Sequence, residues 1–176
     1  MQIDAMIIFA LIFFGVVVVL YLPVFLVLRK QGVGILRQVS YLLFAWSLLL
    51  IIFVTIFFMP PTSNRILNLT PFYWFRYDRI TRINLLETIG NVVMFIPFGF
   101  LLPVVFAKTR KFYVLVITVF LMSFSIELIQ YFIGRIADID DLIENVVGGM
   151  FGFGLFAMVN HRFINRIWWK KMKGVV

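Results

Sequence analysis

Ala5–Leu28 reads AMIIFALIFFGVVVVLYLPVFLVL, 24 residues without one charged side chain. At 1.5 Å per residue, a helix of that length crosses about 30 Å of hydrocarbon with room for tilt. Asp4 precedes the run and Arg29-Lys30 follow it. It therefore lacks the positive leading region of a signal peptide and reads as a span. Four further apolar runs of similar length lie beyond it: Val39–Met59, Leu85–Ala107, Tyr113–Ile133 and Ile139–Val159. The chain of 176 residues is 63% hydrophobic and 14% charged, with mean hydropathy +1.06. Soluble domains carry about 25% charged residues, so a water-soluble globule is excluded. The expected fold class is an all-α membrane protein with five transmembrane helices, forming a single polytopic domain over residues 1–176. There is no cysteine, which removes disulfides, thiolate nucleophiles and Cys–metal sites.

The net charge of +8 is not spread evenly. Eleven of the 16 Lys and Arg fall in three segments after the first, third and fifth runs: Arg29, Lys30 and Arg37; Lys108, Arg110 and Lys111; and Arg162, Arg166, Lys170, Lys171 and Lys173. No acid occurs among them. Basic loops stay cytoplasmic, so the expected orientation puts the N-terminus outside and the C-terminus inside a plasma membrane. The basic ends are explained by topology and by attraction to anionic membrane lipid. No nucleic-acid motif accompanies them, so no nucleic-acid partner is expected. All eight acids, with Arg65, Arg76, Arg79, Arg82 and Arg135, belong to the other side. Acids contribute little to orientation, so their gathering on one side points to a use for carboxylates there. The long outer segment Pro60–Ile83 adds Phe72, Tyr73, Trp74, Phe75 and Tyr77, a density of aromatics suited to the headgroup level.

The first two runs carry no charge and read as packing helices. The third aligns Asn84, Glu87, Asn91, Phe95 and Phe98 on one helical face. The fourth brings Ser123, Glu127, Gln130 and Tyr131 together just before Gly134. The fifth repeats Asp138, Asp141, Asn145, Gly148 and Gly152 along one face. Asn91, Glu127 and Asn145 each lie roughly 10 Å inward from the outer end of their helix, and Arg135 sits at the rim. Polar side chains at that depth face the bundle interior or a wet cavity. The expected ligand-binding set is therefore Glu87, Asn91, Glu127, Gln130, Arg135, Asp138, Asp141 and Asn145. Asn91, Gln130 and Asn145 fit equally well a hydrogen-bonded clamp between helices. Two acids beside one cation are harder to explain that way, which favours Glu127 and Arg135 as functional. Arg135 is expected to pair with Glu127 or Asp138. Asp138 and Asp141 also have the spacing of helix capping, and Gly148, Gly149, Gly152 and Gly154 form a small-residue packing face.

Familiar catalytic chemistry is absent from the pattern. His161, the sole histidine, falls in the basic tail, far from the acids, so no His-based triad is expected. There is no phosphate-binding glycine loop. Carboxylates with Asn and Gln suit hard divalent cations, yet no spacing singles out a metal; neither a metal nor an organic cofactor is expected. If the site were catalytic, Glu127 would be the acid or base, with Asp138 or Asp141 as its partner.

Asn91-Val-Val-Met-Phe95-Ile-Pro97-Phe-Gly99, Glu127-Leu-Ile-Gln130 and Asp138-Ile-Asp-Asp141 leading to Asn145-Val-Val-Gly148-Gly149 resemble the VanZ family. Asn68-Leu-Thr-Pro71-Phe72 is similar to a segment that precedes these motifs in the family, so the resemblance covers residues 68–156. It implies an integral membrane protein associated with low-level resistance to teicoplanin, a lipoglycopeptide antibiotic. The implied partners are membrane lipid and either the lipoglycopeptide or the lipid-linked peptidoglycan precursor. Two readings follow: a binder of a lipid-linked or lipid-tailed ligand, and a membrane enzyme acting on an outer-leaflet lipid or cell-wall precursor. A transporter ranks last, because the inner halves of the spans are apolar.

Overall fold

The structure, a computed structural model, describes the backbone of residues 2–58, 66–72 and 82–175, and the side chains of residues 11–56, 66–72 and 85–175. Most of the aromatic and basic segment 60–83, including Arg65, Arg76, Arg79 and Trp74, lies outside the described residues, as do the side chains of Asp4 and Arg82. Five helices are long and apolar enough to cross a membrane. They are α1 (Gln2–Lys30), α2 (Ile35–Ile52), α3 (Arg82–Val105), α4 (Phe112–Phe132) and α5 (Ile139–Phe163). A sixth, short helix α6 (Ile167–Met172) follows the last span.

α2 begins four residues before the apolar run does. Gly34 is its N-cap, so Arg37 and Gln38 lie inside the helix. Its far end widens into a π-helical turn, Phe53–Phe58. α4 stops at a glycine. Gly134 has φ +85°, its N–H donates to the Tyr131 carbonyl, and Arg135 N–H donates to the Gln130 carbonyl at 2.9 Å. That pair of bonds is a Schellman end, and it throws the chain directly into the next element.

The all-helical expectation misses that element. β1 (Ile66–Asn68) and β2 (Ile136–Asp138) pair in parallel, with Asn68 opposite Asp138. Each strand has three residues, too few for an alternating pattern to show in sequence. The pair ties the segment after α2 to the junction between α4 and α5.

The packing centre is the parallel pair α3 and α5. Gly99, Gly148 and Gly152 bring the two backbones into contact: a Cβ on Gly148 would fall on the Val92 carbonyl, and one on Gly152 on the Ile96 carbonyl. The small-residue face expected from sequence is thus the helix contact, except at Gly154, which has open space beside it. Phe95, Phe98 and Leu102 of α3 pack with Leu115, Val119 and Ile126 of α4 and Ile51 of α2. α1 lies outside this core, held to α2 by Phe14 on Trp46, with ring centroids 5.7 Å apart, and by Tyr21 Oη donating to the Gln38 carbonyl. Its outward face, from Leu11 to Val27, is broadly exposed, as a lipid-facing helix requires.

At the basic end, α6 folds back onto the bundle. Trp169 is 1% exposed and packs on Phe100 and Phe156. Its Nε1 donates to Asn160 Oδ1 at 3.1 Å, and Lys173 Nζ donates to the same oxygen at 2.6 Å. Arg37 donates to the carbonyls of Val104 (2.8 Å), Val105 (2.7 Å) and Met172 (2.9 Å), and to Tyr41 Oη (3.0 Å). One guanidinium therefore caps the C-terminal ends of both α3 and α6, where unpaired carbonyls and a negative dipole end favour a cation.

Candidate functional site

The opposite end of the bundle carries the acids, and the start of α5 organises them. Asp138 is the N-cap of α5: its Oδ1 accepts from Asp140 N–H at 2.9 Å, the bond expected of a capping aspartate. Its Oδ2 accepts from Asn68 Nδ2 at 2.9 Å, across the strand pair. Its own N–H donates to Glu127 Oε2 at 2.9 Å. Glu127, 7% exposed on α4, is therefore held by the backbone of the element it faces. Asp140 Oδ1 accepts from Phe72 N–H at 2.6 Å. Phe72 has φ +57°, a backbone region that a bulky residue enters only at a cost of order 1–3 kcal/mol. The short bond to a buried carboxylate helps to offset that cost. Asn68, whose Oδ1 also accepts from Thr70 N–H, and Asp140 together fold the Asn68–Phe72 stretch over the acids.

A second group joins α3 to α5. Asn91 Nδ2 donates to Asp141 Oδ1 at 2.8 Å and to Glu144 Oε2 at 2.9 Å. Thr88 Oγ1 donates to Glu144 Oε1 at 2.7 Å. One amide thus serves two carboxylates on successive turns of α5, where the like charges repel and a shared donor relieves them. Deeper still, Asn145 Nδ2 donates to Ser123 Oγ at 3.0 Å, between α5 and α4. At the α2 side, Gln130 Nε2 and the Arg135 guanidinium both donate to the Thr55 carbonyl.

The expected residues do not all meet as the sequence suggested. Asp141 joins Asn91 as a direct partner, and its charge reaches Glu127. Asn145 turns instead to Ser123, one turn below. Gln130 and Arg135 face the end of α2. Arg135 donates to Thr55 O and lies within electrostatic reach of Glu127, one of the two acids expected beside it. Glu87 is exposed, and the position facing Asn91 belongs to Glu144. Sequence reading missed Glu144, Thr88, Asp140 and Thr55 as contributors. Glu144 stands three residues after Asp141 on the same helix, which was the available signal.

Carboxylates crowd this end. Glu127, Asp138, Asp141 and Glu144 meet, among the described residues, backbone N–H groups, two Asn amides and one hydroxyl. Two buried amide oxygens, Gln130 Oε1 and Asn145 Oδ1, have no hydrogen-bond partner among the described residues. Two such oxygens suit a ligand that brings N–H or O–H groups. Among the described residues no three His, Asp or Glu side chains are arranged to hold a metal ion.

Five membrane-length helices with a carboxylate-rich end, braced by a strand pair, define a polytopic helical membrane protein. The chain belongs to the VanZ/LLP1 family, whose pattern matches residues 41–160. It is 41% identical over 98 residues to Protein VanZ of Enterococcus faecium, an alignment covering 55% of this chain and 56% of that relative. The match therefore spans about half the length of that curated relative. No solved structure matches the chain. The family stretch contains the whole polar end and leaves out α1, Arg37 and α6.

Proposed function

We propose that this protein contributes to low-level resistance to teicoplanin-type lipoglycopeptides, from the plasma membrane, by binding a lipid-linked or lipid-tailed ligand at the carboxylate-rich end. That end faces outward in this reading, with the N-terminus outside and the C-terminus cytoplasmic, because eleven of the 16 basic residues gather at the other end. The observation that carries the binding reading is the pair of buried amide oxygens, Gln130 Oε1 and Asn145 Oδ1, that lack a partner among the described residues. A ligand with a peptide or sugar portion supplies the missing donors, and its hydrocarbon tail stays in the bilayer. Teicoplanin and the polyprenyl-anchored peptidoglycan precursor share that chemistry. Glu127 serves here as an acceptor that fixes the Asp138 backbone and faces the ligand.

Two measurements test the reading. Cysteines introduced as Asn64→Cys and Lys108→Cys separate the orientations: an impermeant thiol reagent added outside labels the first and spares the second, and the reverse pattern rejects an outward-facing site. For the chemistry, survival on teicoplanin is compared for wild type, Glu127→Gln and Glu127→Ala at matched expression. Gln keeps the volume and an oxygen acceptor for Asp138 N–H, so partial resistance is expected in Glu127→Gln and loss in Glu127→Ala. A general acid or base does not tolerate the amide, and losses of about 10²–10⁴ in rate are typical of its removal. Equal, complete loss in both variants, with folding intact, would transfer the site to the enzyme reading with Glu127, Asp138 and Asp141 as its reactive groups.

A further inference from the structure

At the basic end, between the start of α2 and the outer side of α6, lies an open groove of about 540 Å³. It is lined by Leu36, Asn165, Arg166, Ile167, Trp168 and Lys171. Three of the six are apolar and well exposed: Leu36 37%, Trp168 42% and Ile167 67%. The other three carry donors, two of them cationic, and no acid lines the groove. Among the described residues none of the Asn165, Arg166 and Lys171 side chains has a hydrogen-bond partner. The walls are nonetheless fixed. Trp169 anchors α6 from the opposite face, and Arg37 and Ser40 of α2 both donate to the Met172 carbonyl. The groove therefore exists before anything enters it.

Its position narrows the occupant. It opens where α2 begins at Ile35 and just beyond the end of α5 at Phe163, the level at which hydrocarbon gives way to headgroups. An occupant must bring negative charge for Arg166 and Lys171 and apolar surface for Leu36, Ile167 and Trp168. We propose that this groove is a binding site for an anionic glycerophospholipid, its phosphate held between Arg166 and Lys171 and its glycerol and first acyl carbons against Leu36, Ile167 and Trp168. Amphipathic surface elements bind lipid through this combination of apolar area and basic charge. The site is separate from the carboxylate-rich end and lies outside the stretch matched by the family.

The test is lipid retention by the detergent-purified full chain, read by native mass spectrometry with dioleoylphosphatidylglycerol and dioleoylphosphatidylcholine as competing probes. Wild type is expected to retain the phosphatidylglycerol preferentially. Arg166→Gln with Lys171→Gln should lower that retention by roughly thirtyfold, the effect of two cations near a lipid headgroup. Lys108→Gln with Lys111→Gln removes the same charge from two exposed residues at the same end but outside the groove, and should leave retention near the wild-type value. Glycerophosphoglycerol, the headgroup without its chains, should compete poorly. Equal loss in the two double variants would reduce the effect to diffuse surface charge and overturn the site. So would equal retention of the two lipids, or full competition by the chain-free headgroup. Thermal unfolding of each variant confirms that the fold is unchanged.

Discussion

Gly148→Ala and Gly152→Ala are expected to destabilise the protein by about 2–3 kcal/mol each, read as lowered thermal unfolding in detergent. A methyl group at either position meets a carbonyl of α3, at Val92 or Ile96, and backbone cannot rotate aside as a side chain can. The two helices must separate, and the contacts around Phe95 loosen with them. Gly149→Ala should cost less, because its Cβ would meet only the Val119 side chain. Gly154→Ala should be neutral or stabilising, since nothing lies within contact there and alanine gains about 1 kcal/mol over glycine in a helix. Equal effects at positions 148 and 154 would show that helix propensity, and not the close α3–α5 approach, governs this face.

Arg37→Ala should be costlier still, by about 3–4 kcal/mol. Hydrogen bonds to a charged group contribute roughly 1.5–3 kcal/mol each, and Arg37 makes three to carbonyls; water reaching the freed carbonyls offsets part of the loss. Lysine cannot reproduce a planar fork spanning two helix ends, so Arg37→Lys should recover little. The neighbouring cations shape the outcome as well. Burial first, then the Arg37 charge, holds Arg110 below its usual pKa range, and burial with the charges of Arg110 and Lys170 lowers Lys173. Removing Arg37 therefore relieves some repulsion while undoing the cap. Limited proteolysis should show the segment after Phe163 released in Arg37→Ala and protected in the wild type. Unchanged protection would mean that Trp169 alone anchors α6.

The five spans were legible because each averages hydropathy over some twenty residues, which single exceptions such as Pro23 or Pro97 cannot mask. Asp138 was legible as a cap because its chemistry is local: it bonds an N–H two residues on. What escaped depends on contacts distant in sequence. Arg37 reads as one more charge setting topology, and nothing near it announces carbonyls at positions 104, 105 and 172. The strand pair joins residues 70 positions apart through three-residue segments. Helical spacing put Glu87 and Asn91 on one face correctly, but a single turn decides which of them meets α5. Near the end of a span that turn separates an exposed side chain from a half-buried one, and Glu144 rather than Glu87 received the interior role.

The Asn91 amide has a mechanical consequence. A glycine-lined contact between two helices is smooth along the axis, because it has few protruding side chains to interlock. Here the smooth stretch is short: a shift of one turn would set Glu144 where Gly148 meets α3, or Phe156 where Gly152 does. Asn91, holding Asp141 and Glu144 together, fixes the same register from the polar end: a displacement of one turn, about 5.4 Å, would carry both carboxylates away from the amide. A single polar side chain fixing register in an apolar interface is a known device of paired helices. The depth at which the acids stand relative to the strand pair is therefore set from α3, by a residue that belongs to neither the cap nor the loop above it.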